Sequence, residues 1–456
     1  MTNLARDFAE LILGWPADDP ALIERCQLLL MDGVAVAAAG APEPGPTHMA
    51  QLSQEEFPCA GAATVIGHGF SAPPIIAARI NGMSMHVLDY EPMWNPPNHA
   101  VSPLLPALLA LAEQREQASG EPQGAALLRA FAKGIEAQGR LRLSSAQLEA
   151  AQLSLHPPGI VGPLATALAC ADLLELDPSS AAAALCIAAS RSSGLLANIG
   201  SQTKALHCGD AAAHGLEAAL LARRGFTANP DALSGPRGWG HAYFGERFTS
   251  APLLAPLGAG RALVPGPSWK LFPSQFATHF GIAAALDARA QIATSAPFSF
   301  HDVTRIELHT PAMPYIDRPH PETGLDGKFS WQYTATIALL DGKVEPASFT
   351  DRRRFAGDVE ALLDRFTLSA DPGISGAFDK MVVGIAVHLK DGRTVTASCD
   401  APPGSWNRPV GAEAVTQKAR DLLESALGRE RADNTLKSVM QPPRQLSVCA
   451  LMACLR

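Results

Sequence analysis

The chain has no run of lysine and arginine longer than the three residues 352–354, and its 36 basic residues are outnumbered by 44 acidic ones, for a net charge of −8. Neutralising phosphates needs a basic face, so nucleic acid is excluded as the main partner, although a site for a small anion needs only local positive charge. No apolar stretch reaches membrane-spanning length without a charge, glycine or proline, which argues against a membrane partner. The cysteines (Cys26, Cys59, Cys170, Cys186, Cys208, Cys399, Cys449 and Cys454) are scattered with no C-x-x-C pair. That spacing disfavours a structural zinc or an iron–sulfur cluster. No H-E-x-x-H occurs, and "GHGF" at Gly67 and "GAGR" at Gly258 lack the full dinucleotide fingerprint. The run from Ser201 to Lys204 matches S-x-x-K, but the companion S-D-N and K-T-G are missing. Neither a metal nor another cofactor is expected. The opening "MTNLARDFAELILGW" mixes acids with apolar residues and has no basic n-region, so it reads as an amphipathic helix, not a signal peptide. The expectation is a cytoplasmic protein with reduced thiols.

What is present is an ordinary globular balance, 47% hydrophobic and 18% charged, in a chain long enough for two domains. The first half is rich in alanine and leucine at helical spacing, and helices are expected over 21–39, 103–116, 124–137, 145–153, 162–175, 179–197 and 209–224. Small residues on these faces let helices approach closely. The stretch 162–197 is hydrophobic on nearly every side, as a core centre or a subunit interface would be. After about Pro265 the character changes. "DVTRIELHTP" and "WQYTATIALLDGK" carry β-branched residues, and "MVVGIAVHLKDGRTVTASC" signals a hairpin around Asp391-Gly392. A helix follows over 411–426. The fold expected is mostly α: a helical domain (1–264), an inserted smaller α+β lid domain (265–402) and a return to the helical domain (403–456).

Four stretches gather charges and imidazoles in turn contexts. "HVLDYEPMWNPPNHA" holds His86, Asp89, Glu91 and His99 in a loop whose three prolines rule out a helix. "LHPPG" places His156 before two prolines, "GSQTKALHCG" holds Lys204 and His207, and "PSWKLFPSQFATHFG" holds Lys270, Gln275 and His279. A lone histidine is more often a hydrogen-bonded structural residue than a catalyst, and Asp89 alone could be a turn cap. All four together, each interrupting apolar surroundings where helix ends meet, point to a cleft lined with cations and hence to an anionic ligand.

These stretches, with "LHPPGIVGPLATALACADLLELD", "TKALHCGDAAAHG", "KLFPSQFATH" and "YIDRPHPETG", resemble the MmgE/PrpD family in order and spacing over nearly the whole chain. The family's activities include 2-methylcitrate dehydratase, cis-aconitate decarboxylase and iminodisuccinate epimerase, which share cofactor-free proton chemistry beside a carboxylate. The resemblance implies homodimers of a large helical domain plus a smaller α+β domain. Carried over residue by residue, it places the site on Asp89, His99, His156, Lys204, Lys270 and Tyr315. The chain departs from the family at Glu91-Pro92-Met93, where an acid-acid-threonine run is common, at Gln275 for His or Cys, and at Phe329 for His. Met93 and Trp94 would make the pocket more apolar.

The expected function is therefore a cofactor-independent lyase, of dehydratase or decarboxylase type, acting on a small di- or tricarboxylate. Epimerisation at the same site and a catalytically altered carboxylate binder are the alternatives. His99, Asp89, His156, Lys204 and Lys270 are the catalytic candidates; Tyr315, His207, Gln275 and Met93 are the binding candidates.

Overall fold

A computed structural model of the chain describes residues 3–294 and 297–456. Helices start where the sequence supplies caps. Asp19 accepts from the amides of Ala21 and Leu22 ahead of helix Pro20–Gly40, and Asp177 does the same for Pro178–Ala189. In both, proline fills the first helical position, where a missing amide proton costs nothing.

Helices Pro74–Val87, Val101–Ser119, Pro157–Leu173 and Thr203–Ala222 form the centre of a first hydrophobic core. Two of them cross through glycines. A Cβ added to Gly209 would lie 2.4 Å from the Arg79 carbonyl oxygen, and one added to Gly82 would lie 2.9 Å from Gly209 Cα. The chain returns to this core through Ala412–Leu427, Arg429–Val439 and Val448–Leu455. A second core packs helices Thr278–Ala293 and Trp331–Asp341 on a four-stranded sheet. The strand order is Phe366–Asp371, Val303–Pro311, Val383–Leu389, Thr394–Cys399, the first pair parallel and the others antiparallel. The molecule is thus mostly helical with a small mixed sheet in its C-terminal half.

The hairpin around Asp391-Gly392 is present, with Gly392 at φ 86°. "WQYTATIALLDGK" is not a strand but the helix Trp331–Asp341. The Ser330 side chain caps it by accepting from the Tyr333 amide, Gly342 ends it at φ 68°, and Trp331 to Leu339 are all buried. Burial on every face overrides the strand preference of its β-branched residues. The helix expected over 145–153 is only a short 3-10 turn, Ala150–Gln152, after Ala146 turns left-handed at φ 52°. The helix expected over 162–175 begins earlier, at Pro157, and that expected over 179–197 stops at Ala189. Most of the apolar excess of 162–197 is consumed within the chain, for Pro157 to Ala171 and Ala184 to Ala189 are all buried, while Leu195 is left exposed. Among the described residues no helix is long and apolar enough to cross a membrane.

Candidate active site

Helix Pro74–Val87 ends at Leu88, and Asp89 follows with φ 49°. That left-handed conformation usually belongs to glycine just past a helix end, although aspartate adopts it more readily than most residues. The Asp89 amide donates to the His86 carbonyl at 2.9 Å. Beyond it the proline-rich loop is fastened at several points. Met93 exchanges backbone bonds with Ser268 at 3.0 and 2.7 Å, the Trp94 indole donates to the Arg261 carbonyl at 2.9 Å, and Gln138 donates to the His99 carbonyl at 2.7 Å. Trp94 is therefore used to hold the loop.

The loop presents Asp89 between two ammonium groups. Lys204 reaches its Oδ2 at 3.2 Å, and Lys270 donates to Oδ1 and, at 3.0 Å, to the Asp89 carbonyl. His99 Nε2 lies 3.7 Å from Oδ1. Burial pushes the Asp89 carboxyl pKa up, but Lys204 and Lys270, with His99 and His86, pull harder and hold it well below the ordinary 3.8. Lys270 is lowered to about 8, chiefly by burial. Burial and Lys270 drive His99 well below 6.5; burial and Lys204 do the same to His86 and His156. All three imidazoles are bases, not acids, until a further negative charge arrives.

Behind Lys204 runs a buried hydrogen-bonded chain. Lys204 Nζ lies 2.8 Å from His86 Nε2, and His86 Nδ1 lies 2.5 Å from Glu91 Oε1. An ammonium donating to Nε2 leaves the imidazole proton on Nδ1, aimed at Glu91. Glu91 also accepts from the Ser102 amide at 2.7 Å and hydroxyl at 2.5 Å. Burial nevertheless raises Glu91 to about 8. Such a chain can pass a proton between Lys204 and Glu91.

Asp89, His99, His156, Lys204, Lys270, Gln275, Tyr315 and Met93 all line one cavity of about 70 Å³, several times what one water centre needs. Gln275 donates to the Tyr315 hydroxyl at 2.9 Å and so orients it. Phe329, also in the wall, places its ring 5.2 Å from the Lys204 ammonium, a cation–π contact where a polar side chain was expected to be missed. His207 does not line the cavity. It stands one turn along the helix from Lys204 and behind His156, their Nδ1 atoms 3.2 Å apart, so that His156 separates it from the cavity. His279 is also behind the wall, near the Ser274 carbonyl at 3.3 Å.

Among the described residues two groups have donor atoms close enough for a metal ion: His86, Glu91 and His99, and His86, His156 and Cys208. Both depend on His86, whose two nitrogens already face Glu91 and the Lys204 ammonium. Lys204 and Lys270 supply positive charge at this point, and a cation there would be repelled. The donor set fits a charged hydrogen-bond network better than a metal.

Two further lysines near the site escaped the sequence reading, Lys328 and Lys418. Both are buried, Lys328 beside the Leu88 carbonyl and Lys418 bonded to the Tyr90 carbonyl and Asp32. Lys418 had a readable signal. It falls three residues after Val415 and four before Leu422, on the apolar stripe of its helix. Lys328 had none beyond its place beside a buried aromatic run.

Residues 6–251 match the MmgE/PrpD N-terminal domain and residues 272–441 match the MmgE/PrpD C-terminal domain. The chain is 31% identical to a cis-aconitate decarboxylase of Mus musculus over 99% of its length and 93% of the relative's. It is also 31% identical to the cis-aconitate decarboxylase of Homo sapiens, over 95% and 90%. A 2-methylcitrate dehydratase of Cupriavidus necator is 26% identical over 39% of this chain and 37% of its own. Matches to both domains of one family, with full-length relatives at that identity, establish that the chain belongs to the MmgE/PrpD family.

Proposed function

We propose that the protein is a cofactor-independent lyase that decarboxylates a small unsaturated tricarboxylate by proton transfer beside a carboxylate. One observation carries the reading: a carboxylate pinned between two buried ammonium groups, with two neutral imidazoles in the same cavity wall. Decarboxylation stands ahead of dehydration because similarity to the decarboxylases runs the length of the chain, whereas similarity to the dehydratase covers 39% of it.

Asp89 neutralises one of the two ammonium charges and leaves an excess of one, which a substrate carboxylate balances. Anionic substrate beside His99 and His156 favours their charged forms, so binding takes up a proton and turns a base into an acid. In a β,γ-unsaturated acid, the carbon–carbon bond to the leaving carboxylate breaks and its electron pair forms a new double bond. The former π pair then takes the proton from imidazolium, carbon dioxide leaves, and one C–H bond replaces one C–C bond. Negative charge building on the neighbouring carboxylate is stabilised by Lys204 and Lys270; a preorganised donor of this kind contributes about 3–4 kcal/mol.

The test is to incubate the protein with cis-aconitate and a panel of hydroxy di- and tricarboxylates in deuterated water and follow them by NMR. Decarboxylated product carrying deuterium at one new C–H position is expected. Loss of water would mean a dehydratase, deuterium exchange without loss of substrate an epimerase, and binding without change a carboxylate binder; each would overturn decarboxylation.

A further inference from the structure

Three consecutive backbone carbonyls, those of Leu88, Asp89 and Tyr90, each face the ammonium of a buried lysine drawn from a different part of the chain. Lys328, just ahead of helix Trp331–Asp341, lies 3.4 Å from the Leu88 oxygen and 3.3 Å from that of Pro273. Lys270 donates to the Asp89 oxygen at 3.0 Å and to that of Ser274 at 2.9 Å. Lys418, in the returning helix Ala412–Leu427, donates to the Tyr90 oxygen at 2.7 Å, pairs with Asp32 at 2.8 Å and sits 4.0 Å from the Tyr90 ring centre. These carbonyls lie past the end of helix Pro74–Val87, where no helical amide is left to bond them and where cations are favoured.

Burying a lysine is costly, and only two of the three have a carboxylate in contact. Among the described residues Lys328 forms no ion pair, and burial lowers its pKa to about 8. Hydrophobic packing would be served better by methionine there. The feature common to all three is the backbone they hold, in which Asp89 is kept at φ 49°.

We propose that Lys418 and Lys328 are positioning residues, which with Lys270 clamp the 88–90 backbone so that Asp89 and its neighbour His99 face the cavity in working geometry. The proposal rests on the reading that Asp89 and His99 belong to the reaction. Neither lysine touches the cavity, and each joins the loop to a segment far away in sequence, so the site is built only where all three segments meet.

Two variants test it. Lys328→Met removes a buried charge that has no carboxylate partner, and Asp32→Leu with Lys418→Met replaces a buried pair by apolar side chains of similar shape, leaving neither partner stranded. Both should melt at or near the parent temperature. With cis-aconitate, kcat should fall by between about tenfold and a hundredfold, as a displacement near 1 Å produces, with KM changed by less than about threefold. Amide hydrogen exchange over 88–94 should quicken while helix Pro157–Leu173 keeps its protection. Parent-like exchange in that loop, parent-like kcat, or a uniform loss of protection across the chain would each overturn the clamp. If the parent protein turns over no carboxylate, the functional reading fails, and exchange in the loop still decides for or against the clamp.

Discussion

Replacing Asp89 by asparagine strands Lys204 and Lys270, both buried, without the charge that balances them. Breaking a buried pair in this way costs about 3–5 kcal/mol, so Asp89→Asn should lower the melting temperature markedly at neutral pH as well as abolish turnover. The sign of the pH dependence follows from the shift. Burial opposes ionisation of Asp89, but the two lysines prevail and its folded pKa lies well below 3.8. Its contribution is therefore present in full above the unfolded carboxylate's pKa and is lost as pH falls through the folded one. Thermal melts of parent and Asp89→Asn should converge as the pH is lowered; a constant gap down to acid would contradict the pairing. At the other end, Lys270 loses its proton near pH 8, having been lowered by burial. kcat/KM should decline above that pH, since the lost proton removes both the hold on Asp89 and positive charge at the cavity. A pH–rate profile flat well beyond it would count against the role of Lys270.

Elements decide how accurately these residues meet. Asp89 follows helix Pro74–Val87 and Lys204 opens helix Thr203–Ala222, and the two helices cross at Gly82 and Gly209. Gly209→Ala would drive a methyl group to 2.4 Å from the Arg79 carbonyl and force the helices apart. Such overpacking costs about 1–3 kcal/mol, and kcat should fall further than KM rises. A variant with parent-like melting and kinetics would show that the crossing does not set the geometry. That small residues on the helix faces of the first half mark close helix contacts was legible in the sequence, as were the DG hairpin and the rigid loop of prolines, because each depends on local chemistry. The helix Trp331–Asp341 was not legible, since complete burial, a property of the tertiary structure, overrides β-branched composition. His207 was assigned to the cavity and does share the Lys204 side of the helix one turn on, yet His156, brought in by a different segment, stands between it and the cavity. Lys328 was not legible because its polar partners are backbone oxygens, which leave no mark in the sequence of the loop they hold, whereas Lys418 left one, its place on the apolar stripe of its helix.

At the scale of the molecule, the site lies between two cores. Asp89, His99, His156 and Lys204 come from segments of the first core; Gln275, Tyr315 and Phe329 come from those of the second. A hinged lid was the expectation from sequence. The bonds of Lys270 and Lys328 to the 88–89 carbonyls lie wholly within the chain and need no substrate to form. Scattering profiles with and without a tight-binding tricarboxylate analogue should therefore superimpose; a clear compaction on binding would instead support the lid. The apolar helices that suggested a dimer are covered within their own chain, so the homodimer we propose rests on family membership, and a sedimentation mass of one chain at micromolar concentration would refute it.

His99 is the side chain on which the proposed chemistry turns, being partly exposed to the cavity and beside Asp89. Its decisive measurement is kcat for cis-aconitate in His99→Ala, taken beside the melting temperature of the same preparation. A positioned imidazole contributes on the order of 10²–10⁴-fold as acid or base, and a proton in flight belongs to the transition state. The predicted result is a loss of that size in kcat, KM within a few-fold and melting close to the parent's. A folded His99→Ala protein that turns over cis-aconitate at near the parent rate would contradict the mechanism.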